Sequence, residues 1–103
     1  MIPKTLTLMG IDITVVLEPS LYKEKKILGE ARYPSQTIAL DSSMLKGQSL
    51  EHNFYHELVH WVFYVLNEDE LRNNEKLVDT IAYLIHQSIR TGTDFYTEED
   101  LNA

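Results

Sequence analysis

The chain has 103 residues, 44% of them hydrophobic, which suits one domain with a modest core and is too short for two. Nine basic against sixteen acidic residues leave a formal charge of −7, which argues against nucleic acid or an anionic membrane as partner. There is no cysteine, so a disulfide framework and a cysteine-based zinc site are both excluded.

The opening MIPKTLTLMGIDITVVLEP is interrupted by Lys4, Gly10 and Asp12 and lacks the apolar block of a signal peptide. No run approaches the roughly 18 apolar residues of a membrane span, so the expectation is a soluble, cytoplasmic protein. Residues 5–9 and 11–17 alternate apolar and polar side chains as two strands, with Gly10 between them and Pro19 stopping the second. SLYKEKKIL (20–28) reads as either a short amphipathic helix capped by Ser20, the favoured reading, or a polar connection, with the lysine-rich run 23–26 on a solvated face. GEARYPSQTIALDSS (29–43) reads as a hairpin turned at Pro34-Ser35, with T-I-A-L-D as the returning strand.

Ser49 then caps a helix running to about Leu66, in which Leu50, Phe54, Leu58, Val62 and Val65 recur at three- and four-residue spacing. Asn67-Glu68-Asp69-Glu70 breaks the pattern. A second helix runs from near Asn74 to Arg90, with Leu77, Val78, Ile81, Leu84, Ile85 and Ile89 on one broad stripe, acidic residues on its inner side and Gly92 as its C-terminal cap. The tail TDFYTEEDLNA is acidic and expected to be partly loose. Strands followed by helices predict an α+β fold: a small, mostly antiparallel N-terminal sheet of three to four strands packed against two helices.

Within the first long helix lies FYHELVHW, residues 54–61. His56 and His60, four apart, stack one turn above each other on one helix face, where one divalent ion can accept both imidazoles. Catalytic zinc takes three protein ligands and keeps an open position. Glu57, one residue around the helix, can lean over that position as a base without entering the coordination sphere. In the second helix Glu75 and Asp79 are also four apart. If the two helices form an antiparallel hairpin, Glu75 can supply the third ligand and Asp79 can accept the free N–H of a ligand histidine, fixing its orientation. Two imidazoles with one carboxylate favour zinc.

His56-Glu57-Leu58-Val59-His60 followed by Glu75-Lys76-Leu77-Val78-Asp79 resembles the HExxH…ExxxD signature of the gluzincin metallopeptidases. The short chain and close motif spacing look most like the minimal single-domain members, the minigluzincins, with a looser likeness to repressor-cleaving metallopeptidases of phages and bacteria. The likeness covers about residues 29 to 90. It implies one minimal zincin-like domain (residues 1–103) with Zn²⁺ held by His56, His60 and Glu75, Glu57 as general base and Asp79 behind the ligands. It also implies a peptide or protein substrate bound in extended form against the strand near 36–41 and cut through a zinc-activated water. Larger relatives add a subdomain that supplies a Tyr or His to the oxyanion, and no position here matches that residue by motif. Tyr83, His86 and Tyr96 are candidates by their downstream position alone.

Several residues have plainer readings. His52 continues the histidine row but lies too far along it to share the ion and is expected to be structural or solvent-facing, while Trp61 and the tyrosines are expected in the core. His86 lies about 16 Å from Glu75 along the second helix. The tail carboxylates Asp94, Glu98, Glu99 and Asp100 could fold back over the ion and make the enzyme latent. The alternative function is a catalytically inactive, metal-stabilised protein-interaction module. Substrate preference and oligomeric state are left open by the sequence.

Overall fold

A computed structural model describes all 103 residues. In chain order the elements are β1 (Thr5–Leu8), β2 (Ile11–Leu17), α1 (Leu21–Lys25), β3 (Gly29–Arg32), β4 (Thr37–Leu40), α2 (Gln48–Val65), α3 (Asp69–Arg72), α4 (Glu75–Thr91) and α5 (Glu98–Leu101). This is the α+β architecture the pattern predicts. No helix is long and apolar enough to cross a membrane.

The sheet order is β1-β2-β4-β3. β1 and β2 are antiparallel, as are β3 and β4, while β2 and β4 run parallel. The first hairpin turns on Met9 and Gly10, at φ 47° and 80°. Two consecutive left-handed residues match the twist of a two-residue hairpin, and Gly10 takes its share without a Cβ penalty. The second hairpin turns through Pro34 and Ser35 as expected, closed by the Gln36 N–H donating to the Tyr33 carbonyl at 3.1 Å. The strand at 37–40 is interior, hydrogen-bonded to β2 on one side and β3 on the other. It therefore has no free edge to offer an extended peptide, contrary to expectation. The edge next to the helices is β3.

α1 forms where the sequence places it, but Ser20 makes no side-chain cap. Its N-terminus is held by Asp41, whose Oδ2 accepts the Tyr22 N–H at 2.7 Å. The other Asp41 oxygen accepts the N–H groups of Ser43 and Met44 and the Ser43 hydroxyl, at 2.7 to 2.8 Å. α2 starts one residue before Ser49, after Gly47, which lies at φ 53°. Ser49 is inside the first turn and bonds back to the Lys46 main chain.

One core cluster joins Ile13, Ile38 and Leu40 of the sheet to Phe54 and Trp61 of α2, with Leu50, Leu58 and Val65 packed around them. The fully buried Trp61 donates its indole N–H to the Thr37 carbonyl at 3.3 Å. A second, smaller cluster of Val59, Val78 and Ala82 joins α2 to α4.

α4 opens with Asn74 accepting the Leu77 N–H at 3.0 Å, and the chain leaves it at Gly92 in an extended conformation. Val78, Ala82 and His86 are the buried positions, whereas Leu84, Ile85 and Ile89 remain 56%, 39% and 54% exposed. Glu75 and Asp79 reach the α2 histidines, and with those residues turned inward the apolar stripe rotates outward. Every residue of the tail, 92–103, is exposed. α5 is one turn closed by a Thr97/Asp100 capping box.

Candidate metal centre

α2 presents His52, His56 and His60 at four-residue steps, and α4 runs antiparallel beside it. The cap at Asn74 makes Glu75 the first residue of α4, opposite His56 and His60. The two Glu75 oxygens divide between the imidazoles: Oε2 lies 3.1 Å from His56 Nε2 and Oε1 lies 3.1 Å from His60 Nε2. One turn on, Asp79 Oδ1 accepts from His56 Nδ1 at 3.0 Å. His56, His60, Glu75 and Asp79 thus meet at one place, with Glu57, the fifth residue singled out from the sequence, alongside.

His56, His60 and Glu75 form a group able to hold a metal ion, their three donor atoms lying within 4.8 Å of one another. Bonds of about 2.0 to 2.1 Å in a tetrahedron give ligand–ligand edges of roughly 3.3 Å. Each imidazole nitrogen lies at about that spacing from a different Glu75 oxygen, so with one oxygen as ligand the remaining separations, within 4.8 Å, would shorten around an ion. Proton counting points the same way. A neutral imidazole has one N–H, and His56 faces a carboxylate oxygen with each of its nitrogens. With Nδ1–H given to Asp79, Nε2 directs a lone pair at Glu75, an arrangement that a cation between them resolves. Burial holds the His60 pKa below its usual value, against the pull of Glu75, and this favours the neutral form that ligation needs. The hydrogen bond from His56, followed by that from His52, lowers the Asp79 pKa.

Glu57 is 7% exposed. Loss of hydration pushes its carboxyl up to about 7, against the lowering effect of His56 and with smaller raising effects from Glu75 and Glu30. Gly29 of β3 makes the room for it: a Cβ there would lie 3.0 Å from Glu57 Oε2. Beside Glu57 and His60 opens a cleft of about 330 Å³, bordered by Gly29, Ala31, Tyr33 and Arg72. The Arg72 guanidinium lies over the rings of Tyr33 and Tyr64, at 5.2 and 5.6 Å from their centroids, and its Nε is buried without a hydrogen-bond partner. A slightly larger apolar groove of about 350 Å³ lies between residues 1–4 and the start of α2. It is distant from these ligands and lacks their chemistry.

Other assignments are corrected. Tyr83 and His86 line a different hollow, with His52 and Arg90, and Tyr96 is exposed in the tail, so none of the three borders the cleft. His86 is buried against Tyr55, with its Nε2 3.6 Å from Glu51. Among the tail acids Asp100 hydrogen-bonds to Thr97, and all four are exposed and lie outside the cluster of possible ligands. His52 is structural as expected, sharing Asp79 Oδ1 with His56 at 3.0 Å. Sequence reasoning missed Gly29, Tyr33 and Arg72. Only Arg72 carried a local signal, through its place in the link that leads into Glu75.

Compared with known protein families, with curated proteins and with solved structures, the chain matches none.

Proposed function

We propose that this protein is a zinc-dependent peptidase of the minimal gluzincin kind, hydrolysing peptide bonds in extended segments of peptide or protein. The observation that carries the reading is the sharing of one carboxylate, Glu75, between two imidazole Nε2 atoms at 3.1 Å each, with a buried glutamate adjoining. His56, His60 and Glu75 would hold the ion, and two imidazoles with one carboxylate suit zinc. Bound there, the ion would polarise a substrate carbonyl and acidify a water.

The remaining work falls to this chain's own residues. Glu57, which borders the cleft beside His60, takes the proton from the attacking water and returns it to the leaving amine. Asp79 holds the His56 ring in one orientation through Nδ1. The free edge of β3 offers main-chain donors and acceptors to an extended substrate. Tyr33 and Arg72 border the cleft as donors available to the developing oxyanion.

The test pairs elemental analysis with a peptide-library digest, using wild type, His56→Ala, Glu75→Ala and Glu57→Gln, each with a chelator control. Expected are one zinc per wild-type chain, loss of zinc in the two alanine variants, and zinc without cleavage in Glu57→Gln. Wild type that binds no stoichiometric metal ends the proposal. Wild type that holds zinc and cuts nothing is instead a metal-stabilised binding module.

A further inference from the structure

The Asp79 carboxylate is hydrogen-bonded by two imidazoles through a single oxygen. Its Oδ1 lies 3.0 Å from His56 Nδ1 and 3.0 Å from His52 Nε2. The Asp79 side chain is 58% exposed, whereas those of His52 and His56 are 26% and 18% exposed. A carboxylate that far into water turns about its own side-chain bonds unless neighbours hold it. His56 cannot be that holder, because it is the ring Asp79 orients, and a pair that leans only on itself fixes neither member. The other imidazole is held from elsewhere. His52 lies edge-on to Tyr83, with ring centroids 6.3 Å apart, and against His86 at 6.2 Å. His86 is buried and stacks on Tyr55 at 5.5 Å. Tyr55 packs against both hydrophobic clusters.

We propose that His52 is a positioning residue for the metal centre: its Nε2–H holds the Asp79 carboxylate, which in turn holds the His56 ring with Nε2 turned to the ion. This role rests on the proposed metal centre and extends it by one residue. Proton counting supports it. An ionised carboxylate only accepts, so both nitrogens that bond Oδ1 are donors. His56 then carries its one proton on Nδ1 and keeps the Nε2 lone pair free, as ligation requires. His52 donates from Nε2 whether the ring is neutral or charged, so the contact does not depend on its ionisation. The helix spacing explains how two rings meet one oxygen. His52 and His56 stand one turn apart on the same face of α2, and Asp79 comes from α4 to both. The row of three histidines is thereby divided, His56 and His60 facing the ion and His52 the carboxylate behind it.

Zinc affinity by chelator competition, and the visible absorption of the Co²⁺-loaded chain, read the centre without reference to peptidase activity. His52→Phe keeps a ring beside Tyr83 and loses the donor. It should weaken zinc binding about 5- to 10-fold, less than the 10- to 100-fold of a group that touches a ligand itself, and should alter the Co²⁺ bands. His52→Leu should do the same, and serves in its place if the larger ring prevents folding. His52→Gln sets an amide N–H close to where Nε2 stands and should bring affinity back to within about twofold of wild type. In an Asp79→Ala background His52→Phe should cause no further loss, since the contact acts only through that carboxylate. Zinc binding by His52→Phe or His52→Leu equal to wild type overturns the proposal. So does a loss that His52→Gln fails to restore, and so does an equal further loss on top of Asp79→Ala. Wild type that binds no metal is a separate failure, ending the peptidase reading together with this one.

Discussion

Glu57→Gln should make the metal-free protein more stable while abolishing cleavage. In the unfolded chain a glutamate ionises near 4.5, and in the fold burial pushes Glu57 up to about 7. The carboxylate is therefore costlier in the folded state than in water, and the folded state is favoured only while the group keeps its proton. That advantage is complete below about pH 4.5 and is lost as pH rises through about 7. A displacement from 4.5 to about 7, at ~1.4 kcal/mol per unit, is worth ~3 kcal/mol above neutrality. Glutamine has nearly the same shape and never ionises, so it escapes this cost.

Urea unfolding in chelator at several pH values, read by circular dichroism, measures the difference. The chelator matters because a cation at the cluster would favour the Glu57 carboxylate and mask the effect. At pH 8 the variant should exceed wild type by ~2–3 kcal/mol with an unchanged slope, and at pH 4 the two should coincide. Equal stability at pH 8, or a less stable variant, would refute the claim that Glu57 is held in an environment hostile to its charge. Stability gained together with activity lost is the mark of a residue kept for chemistry.

Three other outcomes follow from single contacts. Asp79→Asn removes the charged acceptor of His56 Nδ1 and should weaken zinc affinity about 10- to 100-fold by competition titration, since orienting groups contribute on that scale; unchanged affinity would mean that the ring is held by other contacts. Gly29→Ala introduces a methyl 3.0 Å from Glu57 Oε2 and should cut peptide turnover by at least about tenfold with zinc retained, so full activity with bound metal would show that Glu57 can move. Asp41, hydrogen-bonded by the main-chain N–H groups of Tyr22, Met44 and Ser43, has its pKa drawn down to about 2. The stability it contributes is present above about pH 4 and lost as pH falls towards 2, and an acid titration of Asp41→Asn should be flatter than wild type through that interval.

What could be read from the sequence was local. Alternation placed both early strands, Gly10 and Pro34 placed their turns, and the four-residue steps of His56/His60 and Glu75/Asp79 put each pair on one helix face. The antiparallel return of α4 needed only the short link at 66–74 and a cap at Asn74. What escaped depends on partners remote in the chain. β4 is interior because it pairs in parallel with β2 across α1 and β3, and no property of residues 37–40 alone announces that neighbour. Asp41 reads as the end of a strand, yet its bond to the Tyr22 N–H spans 19 positions. Gly29 matters through the carboxylate that folds against it, and Tyr33 through a guanidinium from α3.

The orientation of α4 links the site to the uncovered surface. Periodicity assigns the leucine and isoleucine stripe to the core because burying it is the larger hydrophobic gain. Yet Glu75 and Asp79 occupy the arc next to Val78 and Ala82, and all four can meet α2 only if the stripe turns outward. Two carboxylates directed at three histidines would be a poor substitute for leucine packing if stability alone were at stake. Held on a cation, the same carboxylates contribute binding energy to the fold. The orientation of this helix is set by a charge cluster, and both the arrangement of possible metal ligands and the exposure of Leu84 and Ile89 go with it.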